Sequence, residues 1–168
     1  MRVIGVDINP AATEEAWSNA VKAGVKDRVH FEPADILQDH HFGNFDVVLL
    51  IRFLTCFGDA IEWQSVLERA LAHVRPDGLI YIHDFLVSPH SENYRSRYEA
   101  AQRLGWRTGN FAVNDSEGQL VFIAHHHSEE DLEQIARPYE KVFYQVHESL
   151  SMNGNLVRMF EFIGRKRE

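Results

Sequence analysis

The sequence predicts a three-layer α/β domain on a mostly parallel sheet that closes in an antiparallel β-hairpin. Three observations carry this expectation. Strand-like and helix-like segments alternate through the first two-thirds of the chain, which implies right-handed crossovers between parallel strands. The run Phe45–Ile51 is almost unbroken apolar (Val47, Val48, Leu49, Leu50, Ile51), as in a strand covered on both faces. Near the C-terminus, Asn153-Gly154 separates two further strand-like runs, a strong hairpin signal.

The elements follow in order. Val3-Ile4-Gly5-Val6-Asp7 is an apolar run ending in an acid, within a first strand spanning 2–8. Asn9 then suits an N-cap with Pro10 at the first helical position, and Gly24 closes that helix. Strands are expected at 29–33, 45–51 and 79–85. Between the last two, Ile61, Trp63, Leu67, Ala70, Leu71 and Val74 share roughly one face of a helix over 59–74. Arg75-Pro76-Asp77-Gly78 reads as a tight turn leading into the next strand. A helix over 92–104 and a glycine-containing loop precede a strand at 119–124. Ser128 and Asp131 form a capping box with an acid in place of Glu or Gln. Runs at 141–149 and 156–164 flank Met152-Asn153-Gly154-Asn155 as the closing hairpin.

Composition bounds the function. At 168 residues, 45% hydrophobic and 25% charged, residues 1–168 suffice for one domain with its own core. Lys plus Arg number 17 against 25 Asp plus Glu, a net charge of −8 that disfavours a nucleic-acid partner. The one basic cluster, Arg165-Lys166-Arg167, is short and terminal. No apolar run approaches the roughly 18 residues of a membrane span, and the N-terminus lacks a signal-peptide layout. A single cysteine, Cys56, excludes an internal disulfide. A cytoplasmic location with no membrane partner is expected.

Read together, these pieces resemble the class I S-adenosylmethionine-dependent methyltransferases, whose sheet is Rossmann-like. The motifs that carry the resemblance are Val3–Asp7 with Asn9-Pro10, Ala34-Asp35-Ile36, Phe45-Asp46-Val47-Val48, Arg75-Pro76-Asp77-Gly78-Leu79 and the closing hairpin. The resemblance implies S-adenosyl-L-methionine as cofactor. It implies that Asp7 binds the ribose hydroxyls, that Ile8 packs on the adenine and that Ala34, Asp35 and Ile36 read its amino group. Arg52 and Phe53, at the end of the third strand, would border the methionine part. Residues 86–127 correspond to the segment in which this family varies its substrate pocket, with Tyr94, Trp106, Phe111 and His126 as candidate lining.

One departure stands out. The family's first strand, glycine-rich loop and first helix have no counterpart, because the second-strand motif begins at Val3. The expectation is an N-terminally truncated form, weakened or inactive alone, whose sheet is completed by an upstream segment or a second copy.

His83-Asp84 falls at the carboxyl end of a parallel strand, where open α/β sheets bind ligands, so either could take a proton from an acceptor. That one of the pair only holds its neighbours by hydrogen bonds is the competing reading. His125-His126-His127, joined by His147 and Glu148, invites a metal, but consecutive residues of an extended segment point to alternating faces, so no metal is expected. Polar loop residues or pocket lining are the alternatives for the three. The acceptor is expected to be a small molecule. A non-catalytic remnant or a partner-completed binding module remains the alternative function. A nicotinamide-dependent oxidoreductase of the short-chain type is disfavoured, because no tyrosine is followed by lysine four residues on.

Overall fold

A computed structural model describes residues 1–38, 42–151 and 153–167; Met152 of the expected hairpin loop lies outside them. The chain divides into two compact units, residues 1–43 and 44–168.

In the first unit, β1 (Val3–Asp7) and β2 (Val29–Pro33) pair in parallel, from Val3 opposite Val29 to Asp7 opposite Pro33. The helix α1 (Pro10–Lys22) connects them. It starts where expected: the Asn9 side chain accepts from the Ala11 N–H at 3.0 Å, and Pro10 has no N–H to leave unpaired. Gly24, at φ 68°, takes the left-handed conformation that ends the helix. A Cβ on Gly5 would stand 2.6 Å from the Phe31 ring, so glycine lets that ring lie across β1.

The second unit opens with β3 (Phe45–Ile51), α2 (Ala60–His73) and β4 (Val74–Phe85). Then come α3 (Glu92–Arg103), β5 (Asn110–Asn114), β6 (Leu120–His125) and α4 (Glu129–Ala136). The strands β7 (Tyr139–Leu150) and β8 (Leu156–Lys166) finish it. Its main sheet has the order β3-β4-β8-β7, with β3 and β4 parallel and both pairings of β8 antiparallel. The last strand of the chain therefore sits inside the sheet, between β4 and β7. An α/β fold closing in an antiparallel hairpin is as expected, with the parallel pairings confined to β1–β2 and β3–β4.

One face of this sheet is dry. Leu50, Ile80, Ile82, Phe160 and Phe162 are buried with Trp63, Val66, Leu67 and Ala70 of α2 and Leu132 and Ile135 of α4. Each of the larger side chains contributes about 1.5–3 kcal/mol by leaving water. The other face is more open. Val47, Leu49 and Ile51 keep 47%, 57% and 52% of their surface exposed. The expectation that both faces of this strand are covered is therefore corrected: the apolar run reflects one packed face and one half-exposed face.

Two further boundaries differ. The strand β4 begins at Val74, directly behind the helix, and the expected turn is an irregularity within it. Pairing jumps from Phe45–Val74 to Val47–Leu79, and Asp77 takes φ 61°. The segment 110–114, read as loop, is the strand β5, paired antiparallel with β6. Five residues bounded by asparagines give too short an alternation to register as a strand. Just before it, Gly109 has φ 90°, and a Cβ there would lie 2.1 Å from the His126 carbonyl oxygen.

Candidate functional site

Within the first unit, the expected ribose and adenine residues come together. Asp7 is exposed at the carboxyl end of β1, and its Oδ1 accepts from the Asn9 N–H at 2.8 Å. The Ala34 N–H donates to the Asp7 carbonyl at 2.9 Å, which carries the pairing one residue past β2 and places Asp35 at the same end. Asp35 is tied down further, accepting from the Leu37 N–H at 2.9 Å and the Gln38 side-chain amide at 3.3 Å. Ala34 is buried, Ile36 is half-buried and Ile8 is 70% exposed. Among the described residues, Asp7 Oδ2 receives no hydrogen bond. Two carboxylates and an exposed apolar side chain at the carboxyl ends of adjacent parallel strands fit a nucleoside, with acceptors for hydroxyls and an aliphatic surface for a base.

In the second unit, the chain leaves β3 through Arg52, which takes φ 52° and donates its N–H to the His83 carbonyl at 2.7 Å. Its guanidinium lies 5.8 Å from the Phe85 ring centroid, and Phe53 meets Phe57 edge-on at 5.4 Å. Asp84 fastens this loop. Fully buried, it accepts from the Thr55 N–H at 3.2 Å and its neighbour Phe85 N–H at 2.8 Å. Burial pushes its carboxyl up to about 7, although those backbone donors pull the other way.

The pleat separates the expected catalytic pair. Asp84 points into the helix-covered core, whereas His83 is on the opposite, half-exposed face with Tyr81 and Glu161. Asp84 is thus corrected from candidate base to a residue positioning the 52–57 loop. Burial, with His147 and Arg52 close by, lowers the His83 pKa against the pull of Glu161.

Tyr94, Phe111 and His126 do assemble, but in the core. With Tyr98 they form a buried cluster against Phe85, whose ring stacks on His126 at 5.0 Å. The Tyr98 hydroxyl meets His126 Nδ1 at 2.6 Å. Burial, then His125 and Arg97, lower His126 to about 3, so its neutral Nδ1 accepts the phenolic proton. Both the pocket-lining and the polar-loop expectations are corrected for His126. Trp106 is elsewhere. It lines a cavity of about 390 Å³ with Cys56, Asp59, Glu62, Phe122 and Ile123, beside the loop that follows β3.

His125 and His127 are equally buried, on the other side of the strand from His126. His125 meets Asn110 Oδ1 at 2.7 Å and Asp131 Oδ2 at 3.0 Å; that carboxylate also pairs with Arg107 and closes the Ser128 capping box. Burial alone would raise Asp131, but bonds from His125 and Ser128 outweigh it and hold the carboxyl well below its usual range. Among the described residues, His127 is left with neither ring nitrogen bonded, edge-on to Trp63, His125 and Phe160. These are satisfied or orphaned buried groups, not solvated polar residues. Sequence reasoning missed Asn110 and Arg107 because nothing local marks a side chain that meets its partner only after β5 and α4 dock.

A family model described as a methyltransferase domain matches residues 1–164. The chain belongs to this methyltransferase-domain family. The domain is similar to a SAM-dependent methyltransferase from Methanosarcina mazei, with a TM-score of 0.87 at 26% identity over 98% of this chain and 82% of that one. It is 33% identical over 104 residues to 27-O-demethylrifamycin SV methyltransferase from Amycolatopsis mediterranei (strain S699). That match spans 61% of this chain but only 37% of the curated relative. The N-methyltransferase NodS from Bradyrhizobium japonicum WM9, in complex with S-adenosyl-L-homocysteine, shares the fold with a TM-score of 0.62 at 16% identity, over 99% of this chain and 67% of that one.

Proposed function

We propose that this methyltransferase domain binds S-adenosyl-L-methionine and serves methyl transfer to a small-molecule acceptor. The observation that carries the reading is the placement of Asp7 and Asp35 at the carboxyl ends of β1 and β2. Asp7 would receive the ribose hydroxyls, Ile8 would lie on the base, and Ala34, Asp35 and Ile36 would meet its amino edge. Arg52 and Phe53 would border the amino-acid end. When bound, the cofactor supplies an electrophilic methyl group on a sulfonium. The chain's own task is then chiefly alignment of the acceptor.

Half-exposed His83 would accept a proton from the acceptor, and Asp84 would hold the loop beside it. The cavity lined by Trp106, Asp59 and Glu62 is the proposed acceptor side, with an aromatic wall and an acidic rim. A small molecule as acceptor agrees with the demethylrifamycin in the name of the Amycolatopsis relative. We further propose a cytoplasmic site of action; no described helix is long and apolar enough to cross a membrane. The outer edge of β3, unpaired among the described strands, is where a second copy would add to the sheet.

Calorimetry with S-adenosyl-L-homocysteine tests the reading. Asp7 is exposed, so Asp7→Ala should raise Kd at least about tenfold, the loss of one charged hydrogen bond, with melting unchanged. No binding by the parent chain, or binding that survives both Asp7→Ala and Asp35→Ala, overturns it. Preferential binding of a nicotinamide cofactor does the same.

A further inference from the structure

Three strands of the second unit bring a different set of groups together. His83 of β4 pairs directly with Glu161 of β8, and Glu161 pairs with Gln145 of β7, so these side chains share the half-exposed sheet face. His147, two residues beyond Gln145, is on that face too. The His83 and His147 rings stack at 5.5 Å with 29° between their planes. One donor atom from each of His83, His147 and Glu161 lies within 4.8 Å of the other two.

Each histidine of the group also carries an unpartnered ring nitrogen. His83 Nε2 and His147 Nδ1 are buried nitrogens without a hydrogen bond among the described residues. The Glu161 carboxylate, by contrast, is held in place: Gln145 Nε2 donates to it at 2.6 Å and the Tyr81 hydroxyl at 3.1 Å. Such outer contacts orient metal-binding carboxylates. We propose that His83, His147 and Glu161 form a site for one divalent transition-metal ion of the zinc type, with a coordination position left open.

The donor set decides the class of ion. Two imidazoles and a carboxylate suit zinc or its neighbours, whereas calcium and magnesium take oxygen ligands. Ligand bonds of about 2.0–2.2 Å place tetrahedral donors roughly 3.3 Å apart, so small side-chain rotations would close the set. The other histidine–carboxylate group, His125, His127 and Asp131, is less suited. Its carboxylate is already engaged by Arg107, His125 and Ser128, and a cation there would meet the guanidinium. The sequence expectation of no metal weighed His147 together with Glu148 and the three consecutive histidines; this cluster instead joins His147 to His83 and Glu161 across three strands. It stands independently of cofactor binding, and with metal bound His83 would no longer serve as the proton acceptor proposed above.

Zinc titration of the tag-free, chelator-stripped chain is the experiment. Calorimetry should show one equivalent bound with micromolar or tighter Kd, weakened at least about a hundredfold by His147→Phe and by Glu161→Gln. In histidine-labelled protein, zinc should shift the ring-nitrogen resonances of His83 and His147 while leaving those of His126 in place, which needs no variant to fold. Absence of binding at 100 µM zinc (about two orders of magnitude above the expected Kd), affinity that survives both substitutions, or shifts confined to other histidines would each overturn the site.

Discussion

Asp84 Oδ2 accepts the Thr55 backbone N–H across 3.2 Å, joining the middle of the sheet to the loop that follows β3. That loop carries Arg52 and Phe53 and borders the Trp106 cavity through Cys56. A buried carboxyl thus sets the backbone of a segment proposed to face the ligand.

The titration of Asp84 should be visible in stability. Its folded pKa, about 7, exceeds its ordinary value of 3.8. Between these values the folded state holds a proton that the unfolded state has released, so unfolding free energy falls as pH rises. The contribution is complete below about pH 4 and gone above about 7, a few kcal/mol at roughly 1.4 kcal/mol per pKa unit. Asp84→Asn removes this titration and should be at least as stable as the parent at pH 8, losing that advantage on acidification. Asp84→Ala should cost about 1–3 kcal/mol at pH 4.5 by stranding two N–H groups. Urea unfolding at the two pH values measures both. An Asn variant with the parent's pH slope would remove Asp84 as the source.

His127 offers a stabilising substitution. It is fully buried with two ring nitrogens unbonded among the described residues, and burial with neighbouring His125 holds its pKa well below 6.5. His127→Leu has a similar volume and should stabilise by about 1–3 kcal/mol, since an unsatisfied buried polar atom costs that much. A depressed histidine contributes stability above pH 6.5 that is lost as pH falls. The variant's advantage should therefore grow from pH 7 to pH 5. Differential melting reads it, and a Leu variant less stable than the parent at both values would refute the account.

The bond between Tyr98 and His126 predicts a non-additive pair. Tyr98→Phe leaves Nδ1 of a buried, neutral imidazole without its donor, at a cost of about 1–3 kcal/mol. Replacing His126 by Phe as well should recover part of that loss, because the second substitution removes the stranded acceptor. Urea unfolding of the single and double variants tests this. Additive losses would indicate that the hydroxyl is not bonded to the ring.

Much of the fold was legible in the chain because its signals are local. Asn9, before Pro10, and Ser128, with Asp131, each supply a side-chain oxygen to an N–H two or three residues on, and both caps form as expected. The β2 and β3 boundaries agree with the apolar runs to the residue. The site was legible only in part. Asp7 and Asp35 follow from strand ends that the sequence marks. His83 and Asp84 looked like a pair, yet a strand turns successive side chains to opposite faces, and only packing reveals which face is buried.

Alone, then, the sequence determined the order of strands and helices, the helix caps and the acids that end β1 and extend β2, since backbone propensity and near-neighbour hydrogen bonding govern these. Tertiary structure decided which titratable groups are dry, which are paired and which share a face. It sent His126 into an aromatic core, left His127 unbonded and set His83 beside His147 and Glu161. Those outcomes depend on burial and on partners distant in the chain, which no local pattern encodes.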